Sequence, residues 1–197
     1  MTTPHRQPPA APDGSTTRQR IVEATIGCVA RDGAAGASMA AIAAAAGVSK
    51  ALLHYHYSDR ARLLAEVVTQ LGERLARRER VALDGADGSR VVDALWRWME
   101  RELARGDLRA LLELSLVRDP VVHEASAAVA EARRSAAGRT TADVMRQLAL
   151  TPRVPAELLG EASVAFVDGL ALGAVVSATD PRVAFDVFWL AMLGLTA

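Results

Sequence analysis

The stretch AGVSKALLHYHYSD, residues 46–59, decides how the whole chain is interpreted. It follows an alanine-rich segment and contains a glycine, a serine, the only lysine of the chain and the run His54-Tyr55-His56-Tyr57. Glycine gives the backbone freedom to turn, and serine is a favoured helix N-cap, so the stretch predicts a tight break followed by a new helix. The histidine and tyrosine run is then a surface for a large charged partner, a packed cluster, or a metal or catalytic site.

Two short helices are predicted around this break. Ser38 is a good N-cap for a helix that runs to about residue 45, and Ser49 caps a second helix over about residues 49–56. Two short helices joined by a tight turn form a helix-turn-helix, whose second helix can enter the major groove of DNA. In this arrangement Leu53 faces back toward the first helices, and Tyr57 is predicted to close the core.

The side chains of this unit suit contact with double-stranded DNA. Lys50 can reach a guanine edge or a phosphate, Ala51 allows close backbone approach, and Leu52 can meet a thymine methyl group. Hydroxyl, imidazole or guanidinium groups suited to phosphate oxygens are predicted at Ser38, Ser49, His54, Tyr55, His56 and Arg60. A metal site is disfavoured, because residues two apart on a helix point about 200° away from each other. We therefore predict DNA contact, with no metal and no cofactor.

Residues 38–64, SMAAIAAAAGVSKALLHYHYSDRARLL, resemble the DNA-binding signature of the TetR family of bacterial transcriptional regulators. The resemblance implies phosphate or base contacts at Ser38, Ser49, Lys50, Leu52, His54, Tyr55, His56 and Arg60. Two positions depart from the family pattern: His54 stands where the family usually has tyrosine, and Leu52 where threonine is common. Since histidine titrates near a pKa of about 6.5, the first departure makes a contact charge-dependent. The second departure, Leu52, is expected to change which base is preferred at the contacted position.

Charge is unevenly distributed although the formal net charge is zero. Residues 1–80 carry 11 Lys and Arg against 7 Asp and Glu, and residues 81–197 carry 12 against 16. A basic front half indicates an anionic partner, although random scatter would also produce so modest a bias. The single cysteine, Cys28, excludes a disulfide within the chain and is interpreted as a small core residue. We expect a cytoplasmic protein with no membrane span.

Almost every segment has helical periodicity, so we predict an all-α fold of about nine helices. The predicted units are a flexible N-terminal arm at residues 1–15, a DNA-binding domain at 16–62 and a helical ligand-binding and dimerisation domain at 63–197. The first helix is predicted from Thr17 to Asp32, ended by Gly33, and Ser58 is predicted to cap the helix that begins near Asp59. The last two helices are predicted at about 156–178 and 182–195.

A homodimer is predicted from the last two helices. The final helix is apolar nearly all round, so it must be covered on two sides, although burial within one chain would also satisfy it. The helix before it carries two glycines four residues apart, which allows close helix approach. The predicted interface residues are Phe166, Gly169, Gly173, Val187, Phe188, Ala191 and Leu195.

A pocket for a small, mostly hydrophobic effector is predicted in the body, as the resemblance implies. Its lining is predicted from bulky residues on body helices: Trp96, Met99, Leu112, Leu116, Met145, Phe166 and Leu170. Trp98 is a further candidate, and Glu113, His123 or Asp168 would orient a ligand. Apolar stripes are more often plain core than pocket wall, and both interpretations stay open for each residue.

An enzyme is not expected, because the sequence lacks the GxSxG, HExxH, P-loop and dinucleotide-binding motifs. The sequence therefore predicts a homodimeric repressor that leaves a palindromic operator when a small molecule binds. The alternatives are a transcriptional activator with the same fold, or a helical small-molecule-binding protein.

Overall fold

The computed structural model describes residues 14–88, 90–173 and 180–196. These residues form nine α-helices and no β-strand, which confirms the predicted all-α fold. The helices are α1 (Gly14–Gly36), α2 (Met39–Ala46), α3 (Lys50–His56), α4 (Arg60–Leu83), α5 (Arg90–Arg105), α6 (Asp107–Ser115), α7 (Pro120–Gln147), α8 (Ala156–Gly173) and α9 (Pro181–Leu193).

Helix boundaries differ from the predicted ones at two places. Gly33 breaks α1 with a φ of 71°, as predicted, but a further turn continues to Gly36. The side chain that caps α4 is Asp59, which accepts a hydrogen bond from the backbone N–H of Arg62, and Ser58 instead donates to Asp59. The prediction of Ser58 as the cap is therefore wrong by one residue, since both types are favoured caps. Residues 1–13 of the predicted arm and 174–178 of the predicted eighth helix lie outside the described residues.

Helices α1, α2 and α3 form a head around one apolar core. Ile21, Val29, Ile42 and Leu53 are fully buried in it. The same core continues along α4 and onto α6, where Leu114 is fully buried. The head therefore packs directly on the body and is not connected to it by a linker alone.

Helix α4 connects the head to the body. Its 24 residues span about 36 Å at 1.5 Å per residue. Near its start Leu63 and Leu64 are buried in the head core, and further along Gly72 and Leu75 are buried against the body. A displacement of the body end of α4 must therefore reach the head.

A second core lies between α5, α7, α8 and α9. It is built around Trp96, Met99, Met145, Phe185 and Trp189. The rings of Trp96 and Phe185 are 5.2 Å apart, and those of Phe185 and Trp189 are 6.2 Å apart. This aromatic cluster holds α9 against α5.

Candidate DNA interface and ligand cavity

The helix-turn-helix is fixed by two serine caps and one glycine. Ser38 Oγ accepts a hydrogen bond from the Ala41 N–H at 3.2 Å, and Ser49 Oγ accepts one from the Leu52 N–H at 3.1 Å. Gly47 ends α2 with φ 63° and ψ 38°, a left-handed conformation that favours glycine. Both predicted caps are confirmed. Each serine is exposed, so its own O–H proton stays free to be donated to a phosphate.

Helix α3 turns one polar face outward. Lys50, Ala51, His54 and Tyr55 are exposed on it, with 84% of Tyr55 accessible. Leu53 and Tyr57 are buried, as predicted. Two further predicted contacts, Leu52 and His56, are half-buried at the edges of this face, and the ring of His56 lies edge-on to Tyr55 at 5.4 Å.

Two arginines of the head bind backbone carbonyls. Arg60 Nε donates to the carbonyl oxygen of Ala37 at 2.9 Å, and its Nη2 donates to that of Ala34. Arg20 Nη2 donates to the carbonyl oxygen of Ala46 at 3.1 Å, at the end of α2. Sequence reasoning placed Arg60 at the DNA backbone and did not identify Arg20. In the structure both hold the segments that flank α2, which makes them positioning residues for the interface.

Ion pairs tie α1 to α4. Arg18 pairs with Glu66, and its guanidinium lies 5.2 Å from the centre of the Tyr57 ring. Arg74 pairs with Glu23 at 2.5 Å. The hydrogen bonds from these arginines lower the pKa of both carboxylates, and burial raises the pKa of Tyr57 to about 12. These contacts therefore connect α4 with α1 and with the end of α3.

A cavity of about 370 Å³ opens in the body. Helices α4, α5, α7, α8 and α9 contribute its walls. Aromatic rings supply much of the surface, at Trp98, Phe166, Phe185, Phe188 and Trp189. The exposed members of the lining mark its mouth: Thr69, Glu73 and Ala76 on α4 with Ala128 and Ala132 on α7.

Only two of the predicted lining residues reach this cavity, Met99 and Phe166. The other predicted positions lie elsewhere: Trp96 and Met145 are buried in the second core, Leu112 and Leu170 are half-buried against the cores, and Leu116 is 78% exposed. Trp98, which the sequence left open, does line it. Hydrophobic periodicity identifies a buried stripe but does not separate its cavity-facing members from its packed ones.

The predicted ligand-orienting polar residues are not in the lining. Asp168 binds Arg133 through two hydrogen bonds, at 3.2 and 2.5 Å. Glu113 pairs with Arg109 at 3.5 Å, and His123 is exposed. The acidic side chain that sequence reasoning missed is Glu79, which lines the cavity and accepts a hydrogen bond from Thr140 Oγ1 at 2.9 Å. Burial raises the pKa of Glu79.

The residues predicted at the dimer interface divide into two groups. Gly169, Val187, Ala191 and Leu195 are exposed, and Gly173 is half-buried. Phe166 and Phe188 instead line the cavity, where their rings stack with centres 4.2 Å apart and planes 7° apart.

Exposed apolar residues form a stripe on each of the last two helices. The stripe on α9 consists of Val183, Val187, Leu190 and Ala191, and the stripe on α8 consists of Leu158, Ala162, Ala165, Gly169 and Leu172. On α9 the opposite side is buried through Phe185, Trp189 and Met192. These two helices thus each keep an apolar face that the described part of the chain leaves uncovered.

Within the described parts of the chain, no group of three or more His, Cys, Asp or Glu side chains is arranged to hold a metal ion. None of the described helices combines the length and the apolar character needed to cross a membrane.

Residues 21–67 match the family model for bacterial regulatory proteins of the tetR family. No curated protein matches the sequence. A member of the TetR family from Streptomyces coelicolor A3 is 26% identical, with 89% of this chain and 98% of that chain covered and a TM-score of 0.65. A TetR transcription regulator from Haloarcula marismortui ATCC 43049 is 20% identical, with coverages of 93% and 100% and a TM-score of 0.76.

A third similar structure is a multidrug binding protein, EbrR, complexed with imidazole. It is 25% identical to this chain, with 92% of this chain and 96% of that chain covered and a TM-score of 0.63. The similarity in all three cases extends over the head and the body, beyond the segment that the family model matches.

Proposed function

Since the chain belongs to the TetR family of bacterial regulatory proteins, we propose that it is a repressor that binds a palindromic operator through α3 and leaves it when a small molecule enters the cavity. The observation that carries the proposal is the exposed face of α3 on a capped, rigid support. Family membership favours a regulator over an enzyme.

The composition of the α3 face supports direct contact with DNA. Lys50 is a flexible cation at the first turn, where it can reach a guanine edge or a phosphate. Tyr55 and His54 extend from the same face and can donate to phosphate oxygens. Ala51 leaves room for the helix backbone to approach the bases. The outward charge of this face is modest, so we expect specificity to depend on geometry more than on net charge.

The apolar stripes of α8 and α9 support a homodimer. A C2 dimer would pack the two stripes of one protomer on those of its partner as a four-helix interface. Two heads related by a two-fold axis would then read half-sites about one helical turn, or a multiple of it, apart. In this arrangement residues 16–62 act as the DNA-binding domain, and residues 63–197 as the ligand-binding and dimerisation domain.

Helix α4 supports the coupling between ligand and DNA. It contributes Thr69, Gly72, Leu75 and Glu79 to the cavity wall, and its first turns are built into the head. A ligand that displaces this wall would tilt the head and change the distance between the two recognition helices. The apolar lining favours a hydrophobic effector, and the similar multidrug binding protein supports a ligand role for the cavity.

The test is a selection of genomic fragments by the purified full chain, followed by fluorescence anisotropy on the recovered duplexes with excess nonspecific DNA. Lys50→Ala and Tyr55→Ala are expected to weaken operator binding by about tenfold or more, since each removes a base or phosphate contact from an exposed position. Arg101→Ala is the matched control, because Arg101 is an exposed cation on α5, far along the chain from α3.

Four outcomes decide between the candidate functions. Competitor-resistant binding to one palindromic duplex that fails in the α3 variants supports the regulator. Binding that disappears at higher salt with no preferred sequence would contradict it, because sequence-independent contacts are electrostatic. A ligand-binding protein with no operator would favour the helical small-molecule-binding alternative. Increased transcription from the bound promoter would favour an activator.

A further inference from the structure

Glu79 places a carboxylate in the wall of an otherwise largely apolar cavity. Its side chain lines the cavity from α4, and the apolar residues Leu75 and Ala76 of α4 and Ala136 and Ala137 of α7 belong to the same lining. The described residues provide it with one hydrogen bond, from Thr140, and with no ion pair. A carboxylate in such surroundings is destabilised unless a positive charge joins it.

The cations near Glu79 are engaged with other groups. Arg133 lines the same cavity, but both of its terminal nitrogens bind the carboxylate of Asp168. Arg139 is exposed and donates to Ser135 Oγ at 2.6 Å. Both arginines act on Glu79 only through space, and each lowers its pKa less than burial raises it. The cavity therefore offers a ligand an acceptor carboxylate and no unpaired cation among the described residues.

The aromatic walls add to this preference. The rings of Trp98, Phe166, Phe188 and Trp189 line the cavity, and aromatic rings attract cations. Glu73 lies at the mouth as a second acidic group, 3.5 Å from Arg77. An anionic ligand would meet two carboxylates, whereas a cation would meet a carboxylate in an aromatic lining.

We propose that the cavity selects lipophilic cations, with an ammonium group placed against the Glu79 carboxylate and an apolar body packed among the aromatic rings. This inference rests on the proposed function, since it names the chemical class of the effector. Thr140 is a positioning residue, because its hydroxyl holds one oxygen of Glu79 and leaves the other for the ligand.

Binding of a permanently charged ammonium is linked to the protonation of Glu79. Burial raises the pKa of Glu79 in the empty cavity, so the side chain ionises, and becomes able to pair with the cation, over a higher pH range than a free glutamate. The groups that act on it are Thr140, Arg133 and Arg139 on α7, and Glu73 of its own helix lines the same cavity. Affinity for a quaternary ammonium should therefore rise with pH and then level off once Glu79 is ionised.

The test uses two probes of the same shape. Benzyltrimethylammonium carries a permanent positive charge, and neopentylbenzene is its neutral carbon isostere. Binding to the full chain without DNA is followed by tryptophan fluorescence, because Trp98 and Trp189 line the cavity. We expect the cation to bind more tightly than the isostere, by about tenfold, as a charge-assisted contact adds to the shared apolar one.

Glu79→Gln keeps the shape of the side chain and removes its charge. It is expected to abolish the preference for the cation and its pH dependence while leaving neopentylbenzene binding in place, which also shows that the variant is folded. Glu73→Gln is the matched control, since it removes the same charge at the exposed mouth, and it should keep most of the preference. Equal affinity for the two probes, binding of neither, or an unchanged preference in Glu79→Gln would overturn the proposal.

This result is separable from that of the proposed function. Cation-selective binding that leaves operator affinity unchanged would uphold the cavity chemistry and contradict the regulator mechanism. Release of the operator by neutral ligands alone would uphold the regulator mechanism and contradict the cavity chemistry.

Discussion

Gly138 on α7 and Gly160 on α8 lie in backbone contact where the two helices cross. A Cβ atom on Gly160 would lie 2.3 Å from the carbonyl oxygen of Arg134 and 3.1 Å from the Cα of Gly138. A Cβ on Gly138 would lie 2.4 Å from the carbonyl oxygen of Ala156. These neighbours are backbone atoms, so they cannot move aside as a flexible side chain would. The crossing fixes how α8, with its exposed apolar stripe, sits on the body.

Gly160→Ala is expected to destabilise the protein by about 1–3 kcal/mol, because the new methyl group forces two helix backbones apart. Gly138→Ala should behave in the same way. Urea unfolding monitored by circular dichroism measures the effect. Gly27→Ala is the matched control: this glycine lies on the exposed side of α1 with no atom within 4 Å of its Cβ position, so alanine should stabilise by about 0.5–1 kcal/mol. An effect of Gly160→Ala equal to that of Gly27→Ala would contradict the close crossing.

Glu66→Gln should reduce the acid sensitivity of the fold. Arg18 holds the pKa of Glu66 below its usual range, so the stabilisation is complete above the unfolded value near 4.3 and is lost as the pH falls through the lower folded value. The wild type should therefore lose more unfolding free energy between pH 7 and pH 3 than the variant does. Glu100→Gln, at an exposed position of α5, should lose as much as the wild type.

Arg78→Met should be among the most damaging single changes. Arg78 joins α4 to α5 and α6 by pairing with Glu102 at 2.6 Å and with Asp107 at 2.9 Å, and only 2% of Glu102 is exposed. Removing the arginine leaves the buried Glu102 carboxylate with only Arg105, at 3.9 Å, and the loss of a buried ion-pair partner typically costs about 3–5 kcal/mol. The double variant Arg78→Met with Glu102→Met should recover part of the loss. A single variant within about 1 kcal/mol of the wild type would show that the pair contributes little.

Leu190→Asp should convert the proposed dimer to monomers. Leu190 is 68% exposed at the centre of the α9 stripe, and a charge there would be buried against the partner. Size-exclusion chromatography with light scattering gives the mass directly. Val81→Asp is the control, because Val81 is 74% exposed on α4, outside both stripes. A dimer that persists in Leu190→Asp, or a monomeric wild type, would exclude this interface.

Local chemistry explains why much of the head could be predicted. Serine caps and a left-handed glycine depend on neighbouring residues, so Ser38, Gly47 and Ser49 are recognisable in the sequence alone. The α4 cap was misplaced because Ser58 and Asp59 are both suitable and only the three-dimensional path of the chain selects one. The guanidinium of Arg60 bonds to carbonyls more than 20 residues away, and no local pattern reveals that.

The body could be predicted only as a set of helices. Gly169 and Gly173 are four apart and suggested close helix approach, but within the described chain nothing lies within 4 Å of a Cβ at either. The close approach is at Gly138 and Gly160, which belong to different helices. In the sequence, Glu79 is one of the charged residues of the segment ERLARRER, and its residue type does not distinguish it from the exposed charged residues beside it. Its one signal is the spacing, since Gly72, Leu75 and Glu79 share a helix face.

The most direct test of the central claim is operator affinity with and without a ligand bound in the cavity. A selected operator duplex is titrated with the full chain at one salt concentration, in buffer and at a saturating concentration of a ligand whose binding has been followed by tryptophan fluorescence. We expect the ligand to weaken operator binding by about 5–150-fold, and the operator to weaken ligand binding by the same factor. Unchanged operator affinity at saturation would contradict the account, because the cavity wall and the recognition helix would then not be coupled through α4.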